Sequence, residues 1–129
     1  MAFAFENLSV YRKAIAFGTT VIGVVEQMHA PRNHFRLIEQ LESAATSVAM
    51  NIAEGKGRHS KKEFSHFLYI ARGSLYETIA SLQILLKLRW LDPESYNNIY
   101  GDADEISKIL AGLIHSIDKD TTSDYQNPS

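Results

Sequence analysis

Residues 47–75 read SVAMNIAEGKGRHSKKEFSHFLYIARGSL, and this stretch decides the fold. It describes one helix ending at Gly55, a short basic turn and a second helix opening after Ser60. Ser60 and Glu63 have the spacing of a capping box, in which the serine oxygen accepts from the amide of residue 63 and the glutamate reaches back to residue 60. Apolar residues follow at Phe64, Phe67, Leu68, Ala71, Leu75, Ile79, Leu82, Leu85 and Leu86, the three-to-four spacing of a buried helical stripe. Upstream, Ile38, Leu41, Ala45, Val48 and Ile52 repeat that spacing up to Glu54-Gly55. A glycine just past the last apolar position is expected to stop the helix by turning left-handed. A connection of about four or five residues makes two such helices antiparallel neighbours.

Outward from this hairpin, a first helix is expected from about Leu8 to Met28, capped by Asn7. Ala30-Pro31-Arg32-Asn33 connects it to the second helix, and the third runs from Lys61 to about Leu88. Asp92-Pro93 supplies an N-cap and a first-turn proline for a fourth helix, whose Tyr96, Ile99, Ala103, Ile106, Leu110, Leu113 and Ile117 fall at heptad-like spacing. The chain reads as all-α, an antiparallel up-down-up-down four-helix bundle in a single domain over residues 1–120. Thr121 to Ser129 is polar, lacks an apolar face and reads as a flexible tail.

Asn51-Ile52-Ala53-Glu54-Gly55, Gly57-Arg58, Ser60, Lys62-Glu63-Phe64, Ala71 through Ser74-Leu75 and Glu77 resemble the 23S rRNA intervening-sequence protein family, also known as four helix bundle proteins. A weaker likeness includes Phe5-Glu6-Asn7-Leu8-Ser9-Val10-Tyr11, so the resemblance spans roughly residues 5–118. It implies a bundle that assembles into a ring-shaped homopentamer, with no established catalytic residues. A relative within that fold, the accessory variability determinant of diversity-generating retroelements, binds nucleic acid and the reverse transcriptase. RNA, DNA or a nucleic-acid-processing protein such as a reverse transcriptase is therefore the implied partner class.

Composition sets bounds. With 129 residues the chain can hold one core. It has no cysteine, which excludes disulfides and thiolate metal sites and suits a reducing compartment. The uncharged run Ala14–Val25 is too short to span a bilayer, which takes about 20 residues. Although it follows Arg12-Lys13 as a signal segment would, Glu6 and the helical periodicity argue for a cytoplasmic protein without a membrane role. That run is uncharged on every side of its helix, as is Ser43–Ala53 in the next. A helix of this kind is usually buried on more than one side, so self-association is expected.

Net charge is −2, poor for a nucleic-acid binder, but its distribution is uneven. Residues 32–72 carry seven Lys/Arg against four Asp/Glu, whereas residues 92–129 carry two against eight. A local positive surface is therefore possible on an acidic chain. The candidate phosphate contacts are Lys56, Arg58, Lys61 and Lys62 in the turn, with Arg32 and Arg36 at the far end of the second helix. The glycines of the turn do not have P-loop spacing and are accounted for by capping.

Two Glu-x-x-His pairs, Glu26/His29 and Glu63/His66, have the spacing of bundle di-iron ligands. They fall at the end of helix one and the start of helix three, hence at opposite ends of an up-down-up-down bundle, so neither a metal nor another cofactor is expected. Ser43, Ser47, Asn51 and Glu54 form a polar line on helix two. With the chain turning near residue 58, Ser47 should stand level with Tyr69 and Ser43 with Gly73, where Gly73 and Ser74 would allow close approach and a hydrogen bond. An interhelical network fixing register accounts for this line; catalysis by it lacks an activated nucleophile. Tyr69 and Tyr76, seven residues apart, share an outward face on which bases could stack. The expected function is a non-enzymatic, homo-oligomeric binding scaffold for nucleic acid or a nucleic-acid-processing protein. The alternative is a protein–protein assembly module without a nucleic-acid role.

Overall fold

The computed structural model describes residues 3–28 and 34–126, with side chains described up to residue 121. It contains four helices, α1 (Ser9–Gln27), α2 (Phe35–Lys56), α3 (Lys61–Lys87) and α4 (Pro93–Gln126), preceded by a short 3-10 turn, Ala4–Asn7, and no strand among the described residues. Each helix packs on two others: α2 lies against α1 and α3, and α4 closes the set by touching α3 and α1. None of the described helices is long and apolar enough to cross a membrane.

The core is built from the stripes that periodicity picks out. Phe17 and Val21 of α1, Leu41, Val48 and Ile52 of α2, Leu68, Leu75, Leu82 and Leu85 of α3, and Ile99, Ile106 and Leu110 of α4 are all but inaccessible. Burying one such side chain contributes about 1.5–3 kcal/mol. The small residues admit close contacts between axes. A methyl group added at Gly18 would lie 3.4 Å from the Ala45 carbonyl oxygen, so α1 and α2 nearly touch there.

Several local expectations change. Asn7 does not cap α1; it ends the 3-10 turn, and Leu8 precedes the helix without a side-chain cap. The Glu6 carboxylate instead accepts from the Phe3 amide at 3.0 Å, and Arg12 donates to the Glu6 carbonyl at 2.9 Å. Gly55 does not stop α2 by turning left-handed. The helix continues to Lys56, Gly57 follows at φ −79°, and no described glycine has positive φ. Its real constraint is steric, since a β-carbon at Gly55 would stand 2.6 Å from Phe67 Cβ and 3.0 Å from Phe64 Cδ1.

Those contacts also reset the α2–α3 register. Ser47 meets Ser74 rather than standing level with Tyr69, and Gly55 meets Phe64 and Phe67. The first turn of α3 overhangs the end of α2, which moves the matching level about one helical turn along α3. Gly73 is exposed, with open space where a methyl group would go, so it brings no helix closer within the chain. At the other end α4 runs on to Gln126, so residues 121–126 are helical where a tail was expected; residues 127–129 lie outside the described residues.

Candidate functional site

The basic turn is built as the sequence predicts at its exit. Ser60 takes an extended conformation at φ −112° and ψ 150°, and its hydroxyl oxygen accepts from the Glu63 amide at 3.1 Å. Among the described residues the return bond from Glu63 is absent, so only the serine half of the box is made. Lys56, Arg58, Lys61 and Lys62 are all exposed around this turn.

Two of these four cations are already engaged. Arg58 is ion-paired with Glu54 and its guanidinium lies 4.8 Å from the Phe67 ring centre. Lys61 Nζ reaches Asp120 Oδ2 at 3.4 Å. Lys56 Nζ sits 5.6 Å above the Phe64 ring, and Lys62 has no ion-pair partner among the described residues. Carboxylates of the acidic end of the chain reach this region. Asp118 of α4 accepts from Ser65 Oγ at 2.6 Å and from Tyr69 Oη at 3.0 Å, while Asp120 meets Lys61. The basic middle and the acidic end, separate in sequence, face each other across α3 and α4. The bond to Asp118 raises the Tyr69 pKa above the ordinary phenol value, because it favours the protonated hydroxyl.

A second feature is a polar groove between α2 and α3. Ser47 Oγ and Ser74 Oγ lie 2.9 Å apart, and Asn51 Nδ2 donates to the carbonyl and the hydroxyl oxygen of Ser47, each at 2.8 Å. Ser43, Ser47, Ser74 and Glu77 line this groove together with Arg36 and Glu39. Arg36 therefore shares its surroundings with two carboxylates; Arg32 lies outside the described residues. Glu54 is not part of the serine network, being held by Arg58. Among the described residues the side-chain partners of the two serines are each other and Asn51, and the Ser47–Ser74 contact ties α2 to α3 at this level.

Among the described residues, Glu26 lies on α1 and the Glu63/His66 pair on α3. Glu63 and His66 are exposed in the first two turns of α3, Glu26 is exposed near the end of α1, and His29 lies outside the described residues. Tyr69 and Tyr76 do share an outward face of α3, with the Arg72 guanidinium between them at 4.9 and 5.9 Å from their ring centres.

Sequence reasoning passed over the α3–α4 connection. Arg89 adopts φ 64°, the one left-handed conformation among the described residues. Its amide donates to the Leu86 carbonyl at 3.0 Å and the next amide, Trp90, to Leu85 at 3.1 Å, the paired bonds that close a helix C-terminus. Nothing in the pattern signalled it, because glycine and asparagine, the usual marks of such a turn, are missing. Asp92 then caps α4 as expected, accepting from the Ser95 amide at 2.9 Å, and that bond holds its pKa below the usual carboxylate value.

The comparisons with known proteins agree with this architecture. A crystal structure of a protein of unknown function from the S23 ribosomal protein family of Bacteroides thetaiotaomicron is 27% identical and superposes with a TM-score of 0.75. The match covers 81% of this chain and 97% of that one. No curated protein matches the sequence. The family model of the 23S rRNA-intervening sequence protein matches residues 6–112, and the chain belongs to that family.

Proposed function

We propose that the protein is a non-enzymatic, cytoplasmic scaffold: an antiparallel up-down-up-down bundle that assembles with copies of itself into a ring, a pentamer by the family resemblance. The ring presents its basic turns to RNA, DNA or a nucleic-acid-processing protein. The observation that carries the assembly is the outer face of α1, where Ile15 is 45% exposed and Ala16, Thr19, Thr20 and Gly23 are exposed with no charge among them. On α2, Met50 is 67% exposed. An uncharged outer face on a helix whose other side is already in the core is the surface left for a second copy. In a ring the turn cations would repeat around the axis, so weak phosphate contacts add by multivalency.

The test is light scattering on the eluting protein, followed by fluorescence anisotropy with single-stranded RNA and DNA at about 50 and 200 mM salt. A single-chain mass at every concentration overturns the assembly. Steeply salt-dependent affinity supports nucleic acid as the partner. No binding at low salt leaves the second reading, a protein–protein assembly module, which is favoured by the pairing of Arg58 with Glu54 and of Lys61 with Asp120.

A further inference from the structure

The α3–α4 connection places an uncommon residue in its left-handed turn. In the paired-bond helix ending, the residue that turns left-handed is usually glycine, because a β-carbon there is crowded. Here it is Arg89. A non-glycine residue in a left-handed turn weakens the fold relative to glycine, and such strain clusters at active sites and ligand clamps.

Around Arg89 the end of the bundle is open, with apolar Val24, Met28 and Leu91 beside polar groups. Arg89 and Trp90 line a cavity of about 470 Å³ with Thr20 and Gln27 of α1 and Ser95 of α4. Trp90 is half-buried and its ring lies 5.0 Å from that of His34, which brings the start of α2 to the same end of the molecule. Asp92 also lines the cavity, but its carboxylate is turned to the Ser95 amide. Arg89 and the nearby Lys87 are exposed and have no ion-pair partner among the described residues, in contrast to Arg58 and Lys61.

We propose that the α3–α4 end, centred on Arg89, is a phosphate-binding site for a nucleotide unit of single-stranded RNA. Arg89 contacts the phosphate and the polar groups of Thr20, Gln27 and Ser95 face the rest of the unit. This deepens the reading of the protein as a nucleic-acid scaffold and rests on it, while moving the stronger contact away from the Lys56–Lys62 turn.

The experiment compares the full-length wild type with Arg89→Gly, Arg89→Lys and the double variant Arg58→Glu/Lys61→Glu. Each is titrated into fluorescein-labelled single-stranded RNA at about 50 and 200 mM salt, and melting temperature is recorded in parallel. Arg89→Gly is expected to melt about 3 °C higher, because it relieves the backbone. It should bind at least about fivefold more weakly, with the salt slope reduced by about 0.7, the share of one phosphate on a single strand. Arg89→Lys should recover part of the affinity, and the double variant should lose less than Arg89→Gly. A more stable protein that binds worse is an outcome a purely structural role does not produce. If Arg89→Gly binds as the wild type does while Arg58→Glu/Lys61→Glu fails, this site is wrong and the basic turn stands. If the wild type does not bind, both readings fall together.

Discussion

The hydroxyl oxygens of Ser47 and Ser74 lie 2.9 Å apart, tying the middle of α2 to the middle of α3 through a contact between two residues 27 positions apart in the chain. Ser74 is buried and Ser47 half-buried, and Asn51 holds the Ser47 oxygen from one turn along. Ser74→Ala removes one bond and is expected to cost about 1 kcal/mol in urea unfolding. Ser47→Ala should cost more, about 2 kcal/mol, because it strips a partner from both Ser74 and Asn51. The double variant should cost less than the sum, and strict additivity would show that the two hydroxyls are not coupled.

Gly55 of α2 and Gly73 of α3 should respond in opposite directions. Gly55→Ala places a methyl group 2.6 Å from Phe67 Cβ, an atom fixed to the backbone of α3, so the helices must separate. The expected cost is about 2–3 kcal/mol, read as a lower urea midpoint. Gly73→Ala meets open space within the chain and should stabilise the folded chain by about 0.5–1 kcal/mol through helix propensity. A Gly73→Ala protein that gains stability but assembles less well would place that position against a neighbouring copy.

These two sites also mark how far the sequence can be read. The Ser60 cap, the Asp92-Pro93 start of α4 and the core stripes were legible because each depends on residues three or four positions apart. Gly55 matters for sterics and not for the left-handed stop that its position suggests. Its neighbours Phe64 and Phe67 come from another helix, and only the register between helices reveals the clash. The same holds for charge: a basic segment and an acidic segment can be counted along the chain, but that Asp120 folds onto Lys61 depends on α4 lying beside α3. Arg89 was illegible because its left-handed turn is imposed on a residue with no preference for it.

The capping aspartate sets an acid dependence. The Ser95 amide holds the Asp92 pKa below its ordinary value, so the folded state binds this proton less readily than the unfolded chain does. The stabilisation is therefore complete above the unfolded pKa of about 3.9 and disappears as pH falls through the lower folded value. Melting temperatures measured from about pH 6 down to pH 2 should fall more steeply for the wild type than for Asp92→Ala, the two curves converging at the acid end. Parallel curves at every pH would show that the cap contributes through shape alone.

Outward faces give a prediction about assembly. Ile15→Glu with Met50→Lys replaces two exposed apolar side chains by charges without touching the core. Exposed positions of this kind usually change stability by less than about 0.5 kcal/mol, so the melting temperature of the isolated chain should scarcely move. The mass by light scattering should nevertheless drop toward that of one chain. An unchanged oligomer would exclude both positions from the interface.

The ion pairs at the basic turn can be used to ask whether that turn binds phosphate at all. Lys61 is held by Asp120 at 3.4 Å and Arg58 by Glu54, and both pairs are exposed. Exposed pairs contribute little to stability, so Asp120→Asn and Glu54→Gln should leave the urea midpoint nearly unchanged. Each substitution frees a cation that a polyanion would otherwise have to win from a carboxylate. If single-stranded RNA docks at the turn, the double variant should bind several-fold more tightly at about 50 mM salt, with the log–log salt slope steeper by about 0.7 for each cation newly engaged. If affinity and slope stay at wild-type values, the turn cations take no part in binding.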